Sequence, residues 1–192
     1  MRKKTIELYQ FKELSKEAQE KTIEQYRDIN TDFDWSDYML EDLKNDNKKL
    51  GYDIDDIFWS GFYSQGDGAC FIGSVDVSKW IKAQKLGNQY RKLLNYTINN
   101  NSSIEIEHFG HYYHSNCMSF RDYIIDFSNE NEQLASQGDE VFEMIKAEAI
   151  EKADQFYKEI EKACDYLMSD EAVAETLEIN EYEFLKEGGN IQ

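Results

Sequence analysis

The run Phe58-Trp59-Ser60-Gly61-Phe62-Tyr63-Ser64-Gln65-Gly66-Asp67-Gly68-Ala69-Cys70-Phe71-Ile72-Gly73 sets two aromatic, strand-forming stretches on either side of Gly66-Asp67-Gly68. Glycine and aspartate tolerate positive φ, which a tight reversal between twisted strands demands. The segment therefore predicts a β-hairpin in which residues 54–63 pair with 69–77 across that turn. Gly-Asp-Gly is first of all a turn, and Phe58, Trp59, Phe62, Tyr63 and Phe71 supply the bulk that packs around it.

The rest of the chain is read around this hairpin. Residues 5–11 alternate as a short strand, and Ser15 is placed to cap a helix over 16–29, whose Ala18, Thr22, Ile23, Tyr26 and Ile29 recur at helical spacing. A second helix is predicted over 36–50, closed by Gly51. Short helices follow over 78–85 and 88–99, broken at Gly87. A strand then ends at Gly110, another begins at His111, and a third spans 121–127. Residues 128–138 read as a polar loop before a long helix from about Asp139. Its seam of Phe142, Ile145, Ala149, Ala153, Phe156, Ile160, Ala163 and Leu167 runs for about four heptads, roughly 45 Å at ideal rise. Such a seam either lies across the sheet or packs on a partner or a second copy. Ser169 caps a further helix to Ile179, and residues 182–185 add a last strand. The class is α+β: a mainly antiparallel sheet with N-terminal helices and a long C-terminal helix, divided as a 1–127 core and an acidic helical 128–192 segment packed on it as one domain.

Three clusters invite chemical readings. Asp53, Asp55 and Asp56 have part of an EF-hand spacing, but the sixth and twelfth positions are Phe58 and Ser64 rather than Gly and Glu, which leaves a solvated acidic turn. His108, His111, His114 and Cys117 recur every third residue like a zinc set. In a strand, however, residues three apart point to opposite faces, so sheet histidines satisfied by hydrogen bonds explain them better, and no metal or other cofactor is expected. A hydrolase would use His111 or His114 as base with Asp67 as partner, yet no nucleophile sits in a recognisable elbow. Cys70, Cys117 and Cys164 are too scattered for a disulfide framework or a paired zinc motif, and reduced, mostly buried thiols are expected.

The chain has 192 residues and no proline, with 39 acidic against 21 basic residues, a formal net charge of −18. From 128 to 192 there are 18 acidic residues and 5 lysines. This charge repels phosphate, so direct binding to nucleic acid is disfavoured and a basic protein is the natural partner. Acidity also serves plain solubility. No apolar run approaches the roughly 20 residues that cross a bilayer, and the N-terminus lacks a signal-peptide core, so a cytoplasmic, membrane-free protein is expected.

Three segments carry a resemblance: Ser60 through Phe71, then Gly110-His111-Tyr112-Tyr113-His114 with Met118-Ser119-Phe120, then Ser169 to Val173 with Asn180 to Phe184. In this order they resemble a group of small acidic proteins of bacteriophages and prophages, some labelled antitoxin-like. The resemblance implies a phage origin and a bacterial host cytoplasm. With the charge and the lack of a catalytic motif, it leads to a non-enzymatic inhibitor of a host nucleic-acid-directed defence protein, an anti-CRISPR or other anti-defence protein acting by nucleic-acid mimicry or obstruction. Glu143, Glu148, Glu151, Asp154, Glu159 and Glu161 would face the partner's basic residues. One alternative is an antitoxin-like protein that neutralises a basic toxin. Another is a small-ligand binder or hydrolase built from Gln65, Asp67, His111 and His114.

Overall fold

The computed structural model describes residues 5–124 and 132–189, and the fold is α+β. The chain divides into two compact units, residues 37–160 and a second built from 1–36 with 161–192. Residue 127, where the sequence suggested a division, lies outside the described residues.

The 37–160 unit is a four-stranded antiparallel sheet backed by helices. Its strands are β2 (Tyr52–Ser60), β3 (Gly68–Asp76), β4 (Ser103–His108) and β5 (Met118–Tyr123), adjacent in that order. Helix α2 (Asp37–Lys48) precedes the sheet, and α3 (Val77–Ala83) and α4 (Arg91–Asn100) join β3 to β4. The paired residues Ile57 and Phe71, Val75 and Ile104, and Gly73 and Ile106 share one face of the sheet. Onto this face α5 (Glu132–Leu167) lays Val141, Ile145, Ala149, Ala153 and Phe156 in the predicted steps of three and four. Phe71 and Phe156 meet with ring centroids 5.7 Å apart. Each fully buried large side chain contributes about 1.5–3 kcal/mol, so Val141, Ile145 and Phe156 make this seam a substantial stabilising contact of the unit. Asp76 starts α3 by accepting the Lys79 N–H at 2.9 Å, and Gly51 leaves α2 at φ 97°.

The second unit holds β1 (Tyr9–Gln10), α1 (Lys16–Gln25), α6 (Asp170–Ile179) and β6 (Glu183–Phe184). Tyr9 pairs with Phe184 in an antiparallel ladder. Phe11, Leu14, Ala18, Ile23, Val173, Leu177 and Phe184 form its core. Ser15 and Ser169 cap their helices through Ala18 N–H and Ala172 N–H. Asn30 donates to the Leu167 carbonyl and accepts from Thr176 at 2.7 Å, and the Arg27 guanidinium binds the Met168 carbonyl and the Asp170 carboxylate.

Several expectations need correction. The strand over 5–11 shrinks to two residues because Phe11–Glu13 turn as a 3₁₀ helix, closed by reciprocal bonds between Gln10 and Glu13. Asp53, Asp55 and Asp56 lie within β2 rather than in a turn before it, with an irregularity between Ile54 and Asp56. No strand begins at His111. Gly110 turns the backbone at φ 88°, a 3₁₀ turn covers Ser115–Cys117, and β5 starts only at Met118. Residues 132–138 are helical, not looped; Leu134 packs on the core and offsets the roughly 1 kcal/mol that Gly138 costs a helix. The expected strand end at 125–127 and loop at 128–131 fall outside the described residues.

Candidate functional site

The hairpin forms in the predicted place, but its tip is a seven-residue loop rather than a tight Gly66-Asp67-Gly68 turn, since β2 ends at Ser60 and β3 begins at Gly68. Asp67 organises this loop. Its Oδ2 accepts the Tyr63 N–H at 2.9 Å and the Ser64 N–H at 2.6 Å, and a side chain at Gly61 would strike the same carboxylate. Trp59 stacks on Phe62, Phe62 lies 5.6 Å from the Tyr157 ring of α5, and the Tyr157 hydroxyl donates to the Gly61 carbonyl at 3.1 Å. Tyr63 projects into solvent, 87% exposed.

The loop between β4 and β5 folds back onto this tip. A Cβ at Gly66 would sit 2.9 Å from the Tyr112 ring, and one at Gly68 would sit 2.8 Å from the Tyr113 carbonyl, so both positions need glycine for close approach. Tyr113 stacks on Phe58 at 5.4 Å, with His108 packed 6.0 Å from the same ring. Two sequence segments 40 to 50 positions apart thus become one surface.

The chemistry expected of that surface is not assembled. Both bonds to the Asp67 carboxylate come from backbone N–H groups rather than from a histidine. His108 Nε2 faces the Tyr112 carbonyl at 3.1 Å, which fixes its proton on that nitrogen, and His114 Nδ1 accepts the Asn116 N–H at 3.1 Å. Gln65 and His111 are exposed. Among the described residues no group of three or more His, Cys, Asp or Glu could hold a metal ion.

The face of the sheet opposite α5 carries a groove of about 780 Å³, lined by Asp55, Phe58, Ile72, Ser74, Glu105 and Glu107 with neighbouring backbone and His108. Register explains the grouping: Asp53, Ser74, Glu105 and Arg121 form one row across four strands. Three carboxylates here have cations: Asp53 with Lys48 at 3.3 Å, Asp56 with Lys44 at 3.6 Å and Glu107 with Arg121 at 3.2 Å. Asp55 and Glu105 form no ion pair among the described residues. Sequence reading missed this groove; its only trace was the Asp53-Asp55-Asp56 run. At the other end of the same face a hollow of about 410 Å³ is lined by Lys48, Lys79 and Lys82 together with Asp53 and Asp76, which pair with Lys48 and Lys79, so its charges largely balance.

The six acidic residues predicted to meet a partner are not equivalent. Glu143, Glu151, Asp154 and Glu159 are exposed along α5, and the first three fall on one outward strip about 17 Å long. Glu148 is turned inward instead. Its Oε2 accepts from Trp80 Nε1 and from Gln84 Nε2, both at 2.8 Å, and its Oε1 pairs with Lys152 at 3.3 Å. Glu161 is half-buried and belongs to the other compact unit.

A family model described as a domain of unknown function, DUF8835, matches residues 35–170. The chain belongs to this family. The DUF8835 stretch contains the whole 37–160 unit, so the hairpin tip, the β4–β5 loop, the groove and the acidic strip of α5 all lie within it, while α1 and β6 lie outside. No curated protein and no solved structure matches the chain. Among the described residues, no helix is long and apolar enough to cross a membrane.

Proposed function

We propose that this DUF8835 protein is a stoichiometric binder of a basic host protein that acts on nucleic acid, neutralising it in the bacterial cytoplasm as a phage-encoded anti-defence inhibitor, of which an anti-CRISPR protein is one kind. One observation carries the reading: carboxylates that form no ion pair among the described residues stand on both outward faces of the 37–160 unit. Glu151 and Asp154 lie outside α5, beside Glu143 with its exposed Lys146 partner at 3.7 Å, and Asp55 and Glu105 lie on the open sheet face. A chain of net charge −18 draws a basic groove from a distance and releases the ions that groove had bound, as nucleic acid does. The tip supports binding over catalysis, because its carboxylate and two of its histidines are committed to backbone groups.

The test is capture from bacterial lysate by the tagged chain at low and high salt, beside the E143Q/E151Q/D154N variant. Retention of nucleic-acid-binding proteins that is lost at high salt and weakened in the variant is the expected result. Recovery of the same proteins by chain and variant at both salts removes charge from the explanation.

A further inference from the structure

We infer that the groove on the open sheet face receives an arginine side chain of the basic partner; this deepens the reading above and rests on it. Charge comes first. On this face Asp53, Asp56, Glu107 and Asp76 are held by Lys48, Lys44, Arg121 and Lys79, whereas Asp55 and Glu105, which both line the groove, form no ion pair among the described residues, the charge of Arg121 reaching Glu105 only at longer range. The missing complement is a cation.

Shape and surface decide which cation. Phe58 and Ile72 give the groove apolar walls, and a bare divalent ion has no use for them, since it takes oxygen ligands and three suitable side chains do not converge here. A long side chain that lays methylenes on apolar surface and ends in a cation fits both parts of the lining. Arginine suits it better than lysine, because the planar guanidinium can address two carboxylates at once while an ammonium acts as a point charge.

The backbone is built for this. The irregularity in β2 falls at Asp55, between the paired positions of Ile54 and Asp56, and Asp55 joins the lining of the groove. Opposite, Gly73 has φ 149°, and a Cβ there would lie 2.2 Å from the Asp53 carbonyl, so the irregularity can form only against glycine. His108, which lines the groove, is followed in the chain by Phe109, 54% exposed, and its Nε2 meets the carbonyl of Tyr112, 63% exposed, so exposed aromatic surface continues from that end of the groove.

Backbone amide shifts of the full chain titrated with N-acetyl-arginine amide, and separately with the lysine analogue, test the assignment. Arginine is expected to shift Phe58, residues 72–74 and 105–108, with at least a several-fold weaker response to lysine and none at Lys82 or Asn101. The D55N/E105Q variant, whose changes lie on the surface, should lose these shifts, while E143Q/E151Q/D154N retains them. Equal response to both analogues, or shifts that persist in D55N/E105Q, overturns the assignment. The two readings fail separately: capture of a basic protein undiminished in D55N/E105Q removes the groove and leaves the function. Arginine binding in the groove without capture of any nucleic-acid-binding protein does the reverse.

Discussion

The indole N–H of Trp80 donates to the Glu148 carboxylate at 2.8 Å, joining α3 to the middle of α5 through two side chains 68 positions apart in sequence. Gln84 donates to the same oxygen, and Lys152, only 12% exposed, supplies the balancing charge and lies 5.1 Å above the Tyr52 ring. Glu148 is thus a brace. E148Q leaves a largely buried ammonium without its counter-charge, and a loss of about 1–3 kcal/mol in chemical denaturation is expected. E151Q, one turn away and exposed, should change stability by less than about 0.5 kcal/mol. Equal losses in the two variants would show that Glu148 faces solvent.

Asp122 gives a pH-dependent test. Burial, with Asp139 nearby adding to it, raises its pKa above the ordinary aspartate value against the opposing bond from the Ile124 N–H. A carboxyl whose folded pKa is raised favours folding below its unfolded pKa, and that contribution is lost as pH rises through the folded value. D122N, which keeps an oxygen for Ile124, should therefore raise the unfolding temperature at neutral pH, with the gain fading below about pH 4. An unchanged melting temperature at neutral pH would contradict the burial.

Thiol accessibility reports how the β4–β5 loop covers β3. Burial, with Cys117 nearby, pushes the Cys70 thiol up to about 11, and burial also raises Cys164. Under native conditions near pH 8, iodoacetamide should label half-buried Cys117 first and leave Cys70 and Cys164 for the unfolded chain. Labelling of Cys70 as fast as Cys117 would mean that the loop does not hold its place.

Asp67 tests the tip. D67A removes the acceptor for two backbone N–H groups and is expected to cost about 1–2 kcal/mol and to open residues 61–67 to proteolysis, while charge-driven capture persists. Together with H111A it separates the readings: loss of binding in that pair would point back to a ligand or catalytic site at the tip.

The seam of α5 and the pairing of β2 with β3 were legible because a period of 3.6 or of 2 survives in the residues themselves, as from Ile145 to Ile160 and from Ile57 to Phe71. Boundaries were less so. The start of α5 was hidden by Gly138 and its polar neighbours, whose propensity is overridden by Leu134 reaching the core. The loop after Gly110 was misread because Tyr112 and Tyr113 favour strands, yet their rings are taken by Gly66 and Phe58, partners distant in sequence. The groove was illegible for the same reason: it needs the register that sets Glu105 beside Ser74. Glu148 shows the converse, since by sequence it is one more acid on a charged helix, and only Trp80 marks it as internal.

The unit made from residues 1–36 and 161–192 has a consequence for how the chain is born. Its Tyr9–Phe184 ladder and the core around Phe11 and Leu177 join the first part of the chain to the last, so α1 leaves the ribosome with its apolar side uncovered and waits through the synthesis of the entire sheet for α6. At about 5–20 residues per second that interval is on the order of ten seconds or more. During that time the early segment is open to proteases and chaperones, and truncation before α6 would deny it its core.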